Sequence, residues 1–218
     1  MLSLSLTSPP QTVLCLGAHP DDIEIGCGAT LLTLIRKYES LFVKWIVFSA
    51  HGQRKAEAQK SAELFLTGVN RKDVEMKEFK DGFFPYDGKE IKLYFEELKK
   101  QISPDIIFTH YRDDLHQDHR LVSELTWNTF RNHLILEYEI PKYDGDLGSP
   151  NLFFQVSRQH CDRKVQLLMS TFESQKSRNW FTEDLFQSML RIRGMESNSP
   201  SCFAEAFYCR KLYFESPQ

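Results

Sequence analysis

Residues 12–18, Thr-Val-Leu-Cys-Leu-Gly-Ala, form a short and almost wholly apolar run. Such a run suits a parallel strand covered on both faces, where alternation with polar residues is lost. The signature returns over residues 41–49, more weakly over 74–79, and again over 104–109, around Asp105-Ile106-Ile107-Phe108. Between these runs, apolar positions recur at helical spacing over residues 26–38, 57–66 and 91–102, and a fourth helix is predicted over 119–131. Strands alternating with helices predict a doubly wound α/β fold, a mostly parallel, Rossmann-like sheet flanked by helices. In that strand order the first and fourth strands are neighbours where the order reverses, and ligands bind outside the carboxyl ends of strands at that point.

The second half is patterned less sharply. A fifth strand is predicted over residues 135–140 and a further one over 152–156, separated by a loop rich in Gly, Pro and Asp at 141–150. Helices are expected over 161–172 and 183–193, and a last strand over 203–214. No repeat, low-complexity tract or linker interrupts the chain, so residues 1–218 read as one domain.

Two stretches carry chemistry. Ala18-His19-Pro20-Asp21-Asp22-Ile23-Glu24 follows the first predicted strand, and His116-Gln117-Asp118-His119 follows the fourth. A catalytic zinc site takes three protein ligands from His, Asp and Glu and leaves a position for water. The first stretch supplies His19 and one carboxylate, and the second supplies an imidazole. One Asp and one His are then spare for proton transfer, as metal-assisted hydrolysis requires. Because the fold reading brings the first and fourth strand ends together, the two stretches are expected to form one site.

Ala-His-Pro-Asp-Asp-x-Glu, followed about a hundred residues later by His-x-Asp-His, resembles the PIG-L/LmbE family of zinc-dependent N-deacetylases of N-acetylglucosamine-type sugars. The usual second motif is His-Pro-Asp-His, and Gln117 stands here for the proline. A weaker similarity extends from Val13 to Phe207. The resemblance implies His19, Asp22 and His119 as metal ligands, Asp21 as general base and His116 as general acid or oxyanion partner. Asp118 would then hold the His116 imidazole in one orientation. It also implies zinc, with Fe2+ or another divalent metal as the alternative, and a small-molecule amino-sugar substrate. Arg54, five residues past the second strand, stands where the family commonly places a substrate-binding arginine. The late segment Ala204-Glu205-Ala206-Phe207 is similar to a motif in members tied to sugar pathways, where Glu205 either contacts substrate or pairs structurally.

Other residues have blander readings beside functional ones. Glu24 complements a helix N-terminus. Asp114 either orients a neighbour or starts the turn, and His51 reads as a loop residue. Phe83, Phe84 and Tyr86, in a loop with turn residues at both ends, either line a sugar site or plug the interior. Cys27 lacks a base paired with it in sequence, so it is a poor candidate nucleophile.

Composition narrows the partners. The net charge of −3 gives no reason to expect nucleic acid. Five cysteines, odd in number and without a C-x-x-C pair, suit reduced thiols in a cytoplasmic protein better than a disulfide framework or a thiolate zinc site. Residues 1–10 lack the basic and apolar regions of a signal peptide, and no stretch approaches the length of a membrane span. Homo-oligomerisation is left open. The competing classes are a phosphoesterase on a similar sheet, which would want more carboxylate ligands, and a metal- or nucleotide-binding module without turnover.

Overall fold

The computed structural model describes residues 3, 5, 6 and 8–212. Seven strands form one sheet: β1 (Thr12–Gly17), β2 (Phe42–Val47), β3 (Arg71–Met76), β4 (Ile106–His110), β5 (Leu134–Tyr138), β6 (Leu152–Gln155) and β7 (Ala204–Tyr208). Their order is β3-β2-β1-β4-β5-β7-β6. The first five are parallel, with Val13 opposite both Val43 and Ile106, whereas β7 runs antiparallel to β5 and β6. The predicted Rossmann-like order therefore holds across the first five strands, and β1 and β4 are neighbours where it reverses.

Among the described residues six α-helices cover the sheet: α1 (Asp22–Lys37), α2 (Gly52–Phe65), α3 (Gly88–Gln101), α4 (Gln117–Thr129), α5 (Arg158–Thr171) and α6 (Glu183–Glu196). Strand β1 shows why its run is unbroken. Val13 and Cys15 face a core shared with Phe65, Val165 and Leu168, while Leu14 and Leu16 face one built from Ile91, Phe95 and Val122. Successive side chains point to opposite faces, and both faces are buried.

Several boundaries shift from the sequence expectation. The third strand starts at Arg71 because it is an edge strand, and its first half, Arg71-Lys72-Asp73, is exposed and polar. Its carboxylates serve the interior: Lys44 of β2, only 2% exposed, pairs with Asp73 at 2.5 Å and with Glu75. Helices α1 and α2 begin several residues earlier than predicted, which moves Asp22, Glu24 and Arg54 from loops onto helical first turns. The last strand ends at Tyr208, and the predicted continuation includes residues 213 and 214, which lie outside the described residues. Among the described residues no helix is long and apolar enough to cross a membrane.

Candidate active site

The strand ends carry the two motifs into one place. Beyond β1 the chain passes His19 and Pro20 and enters α1 through Asp21, whose φ is 94° and ψ −23°. A non-glycine residue in that left-handed region is held there at a cost of about 1–3 kcal/mol. The conformation gives the neighbouring carboxylates different surroundings. Asp22 accepts from the amide of His19 at 2.6 Å, while Asp21 lies 3.2 Å from the guanidinium of Arg54. Arg54 also donates to the carbonyl of Pro20 at 2.6 Å. It therefore stands in the site, but as a clamp on the Asp21 turn.

His19 and His119 face each other, with Nδ1 and Nε2 3.1 Å apart. Asp22 Oδ2 lies 3.5 Å from the first and 3.6 Å from the second. The outer nitrogens fix the tautomers. His119 Nδ1 donates to Asp114 Oδ2 at 2.9 Å, and His19 Nε2 lies 3.1 Å from Asp118 Oδ2 and 3.1 Å from Asp81 Oδ1. Both rings thus turn a lone pair inward, and only a proton or a cation between them relieves the repulsion. Burial opposes a charge on His19, but Asp118, Asp22 and Asp81 outweigh it and raise its pKa well above the usual imidazole value. Burial and the neighbouring His110 push His119 down to about 3, so its Nε2 is free to ligate at ordinary pH.

The donor set fits a divalent ion. Ligand bonds of about 2.0–2.2 Å in a tetrahedron place neighbouring donor atoms about 3.3–3.6 Å apart. The observed edges are 3.1, 3.5 and 3.6 Å. Asp21, Asp22, Asp114 and Asp118 are all buried around the site, a carboxylate-rich lining that suits a cation.

His116 caps the N-terminus of α4, its Nδ1 accepting from the amide of Asp118 at 3.3 Å. Its ring centroid lies 4.8 Å from that of His19 and 4.6 Å from that of His119. Burial, and then His19, lower its pKa, making its protonated form a readier donor. Burial raises the pKa of Asp21 well above the carboxylate range, against the pull of Arg54, which makes it a stronger base.

The expected role of Asp118 needs correction. Its carboxylate does not hold His116: Oδ2 accepts from the amide of Gly82 at 2.7 Å as well as facing His19, and Oδ1 accepts from the amide of Phe84 at 3.1 Å. Asp118 therefore ties the loop after β3 to the first motif, with Gly82 at φ +79° supplying the turn. Gln117, in place of the usual proline, donates to the carbonyl of that same Gly82 at 3.2 Å. The aromatic loop divides its duties. Phe84 is fully buried and stacks on His19 with centroids 5.9 Å apart, whereas Phe83 and Tyr86 are 43% and 81% exposed.

Asp114 holds the ring of His119 instead, and Lys142 holds Asp114. Lys142 Nζ lies 2.9 Å from Asp114 and 2.5 Å from Asp146. His110, which sequence reasoning passed over, accepts from the amide of Ala18 at 2.9 Å and stacks on His119 with centroids 3.9 Å apart. It is the last residue of β4, one beyond the predicted strand end, and a histidine closing a buried apolar run was the signal available. Asp81, which neither motif contains, joins His19, His116 and Asp118 in a second group of potential ligands.

Two candidates leave the site. Glu205 contacts neither motif and accepts from the amides of Ala29 and Thr30 in α1. Cys27 is buried, donates to the carbonyl of Ile23 at 3.3 Å and has its thiol pKa pushed up by burial, so it is no nucleophile.

Comparison with known proteins agrees with this geometry. A deacetylase of Escherichia coli K12, YaiS, itself uncharacterized, is 27% identical over 178 residues, covering 76% of this chain and 92% of its own. The fold is shared with the N,N'-diacetylchitobiose deacetylase of Pyrococcus horikoshii, at a TM-score of 0.69 and 19% identity over 93% of this chain and 86% of that one. It is shared equally with the 4-carboxy-2-hydroxymuconate hydratase GalB of Pseudomonas putida KT2440, at a TM-score of 0.74 and 14% identity over 95% and 99% of the two chains. The family model for PIG-L, described as GlcNAc-PI de-N-acetylase, matches residues 14–130, more than half of the 218 and a span that takes in both motifs. The chain belongs to the PIG-L family of de-N-acetylases.

Proposed function

We propose that the protein is a metal-dependent hydrolase that removes the N-acetyl group from an N-acetylated amino sugar of the N-acetylglucosamine type. The observation that carries this reading is the convergence of His19 Nδ1, Asp22 Oδ2 and His119 Nε2 within 3.6 Å, with Asp21 beside them. Those three residues would hold the ion, zinc by preference and Fe2+ or another divalent metal as the alternative. A divalent ion there supplies Lewis acidity to the acetyl carbonyl and acidifies water.

The proton work falls to the chain. Asp21 accepts the proton of the attacking water as its oxygen adds to the acetyl carbon. His116 donates a proton to the amine nitrogen as the C–N bond breaks, leaving acetate and the free amino sugar. Arg54 keeps Asp21 in place, and its part-exposed guanidinium would meet substrate hydroxyls. The exposed rings of Phe83 and Tyr86 offer a face for a sugar or its aglycone. The five free thiols suit a cytoplasmic enzyme that acts as one domain.

The test is a panel of N-acetylated sugars, including free N-acetylglucosamine, its nucleotide-diphosphate conjugate and lipid- or thiol-linked forms. Acetate and amine should appear together for at least one member. Cleavage of phosphate esters alone, or addition of water to an unsaturated acid as in a hydratase, would replace the reading.

A further inference from the structure

The segment around Glu205 does something the deacetylase reading does not absorb. Glu205 on β7 and Lys164 on α5 form a buried ion pair, Nζ to Oε1 2.6 Å. Both members also grip the main chain of α1. Glu205 Oε1 accepts from the amide of Ala29 at 3.0 Å and Oε2 from that of Thr30 at 2.6 Å. Lys164 Nζ donates to the carbonyl of Ile25 at 2.5 Å. In a regular helix the amide of Ala29 would seek the carbonyl of Ile25, four residues earlier. The ion pair therefore touches a donor and an acceptor of one rung of the helix's own ladder, within a helix that runs unbroken over Asp22–Lys37. The main chain can come this close to its neighbours because residues 26 and 28 are glycines. A Cβ at Gly28 would lie 3.5 Å from the Lys164 side chain and 2.8 Å from Phe65, and one at Gly26 would lie 2.2 Å from the ring of Tyr138.

Ile25 is three residues past Asp22, one turn from the ligand end of the helix. We infer that the Lys164–Glu205 pair is a positioning device that fixes the ligand-bearing first turn of α1, and with it Asp22, against the two histidines. The inference rests on reading Asp22 as a metal ligand, and it assigns Lys164 and Glu205 no contact with substrate. The two groups work differently from an ordinary buried ion pair. Their charges neutralise each other, but the helix needs Glu205 as a double acceptor and Lys164 as a donor.

The test measures zinc affinity of the folded protein by competition with a chelator, alongside thermal unfolding of the metal-free chain. Glu205→Gln leaves one oxygen for two amides and should weaken zinc binding about tenfold or more, in the range seen when groups supporting metal ligands are removed. Leu168→Ala, one turn further along α5 and fully buried, should lower the melting temperature while leaving zinc affinity unchanged. The double variant Lys164→Met/Glu205→Gln removes the unpaired charge, so it should regain stability yet bind zinc as poorly as Glu205→Gln. Should Glu205→Gln not fold, Lys164→Met alone should show the same loss in smaller degree. Zinc affinity within twofold of the parent protein in Glu205→Gln or the double variant, or an equal loss in Leu168→Ala, would overturn the inference. If the parent protein itself binds no zinc, the hydrolase reading fails first.

Discussion

His19 and His119, one hundred residues apart in sequence, turn Nδ1 and Nε2 towards each other at 3.1 Å, each ring held from behind by a carboxylate. Asp118 stands behind His19 and Asp114 behind His119, so the two strand ends are locked by mirrored contacts around one point.

That arrangement predicts the order of metal loss. His119→Ala should remove bound metal from the folded protein, while Asp114→Asn should weaken metal binding about 10–100-fold without abolishing it. Elemental analysis and chelator titration measure both. Full occupancy in His119→Ala would mean that another trio, such as His19, His116 and Asp118, holds the ion.

Asp21 and His116 should separate chemistry from metal binding. Asp21→Asn and His116→Ala are each expected to lower turnover by about 10²–10⁴-fold while metal content stays at one ion per chain. If Asp21→Asn lost its metal and Asp22→Asn kept it, the two carboxylates would exchange roles.

Gly26 is a close-approach position on α1, where a Cβ would meet the ring of Tyr138 at 2.2 Å. Tyr138 cannot easily give way, because its hydroxyl donates to the carbonyl of Leu16 at 2.6 Å inside the sheet. Alanine normally stabilises a helix over glycine by about 1 kcal/mol. Here Gly26→Ala should instead destabilise by about 1–3 kcal/mol, as overpacking does. A urea unfolding midpoint equal to or above that of the parent protein would contradict it.

The edge strand gives a pH signature. Burial opposes the charge of Glu75, but Lys44, Lys77 and Tyr94 outweigh it and draw its pKa down to about 2. Its unfolded value lies near 4.3, the ordinary range for Glu. A depressed folded pKa means that the group's contribution is fully present above the unfolded value and is lost as pH falls from about 4 towards 2. Glu75→Gln should therefore be less stable than the parent protein at pH 7, with the difference shrinking as pH is lowered through that window. A difference that stays constant down to pH 2 would show that shape, and not charge, is what Glu75 contributes.

Much of this site is legible in the sequence because its signals are local. An apolar run buried on both faces announces a central parallel strand. His-Pro-Asp-Asp and His-x-Asp-His place their candidate ligands within a few residues of strand ends, and the alternation of strands and helices puts those ends side by side. The edge strand β3 was legible only in part, because an edge exposes one side and its early residues turn polar. Helix starts are hidden for a similar reason: the first turn of α1 carries the buried charges Asp22 and Glu24, that of α2 the polar Gln53, Arg54 and Lys55, and no periodicity of apolar residues marks either.

Tertiary structure alone decided the supporting contacts. Which aspartate stands behind which histidine depends on where carboxylates land after the loops close, and Asp114 and Asp118 differ by only four positions. Asp81, His110 and Lys142 reach the centre from separate strand ends, a convergence of long-range geometry that no spacing records. Glu205 shows the same limit from the far side. Its sequence segment marked a residue of consequence, but only the fold could show that its carboxylate is spent on the backbone of α1, 176 positions earlier in the chain.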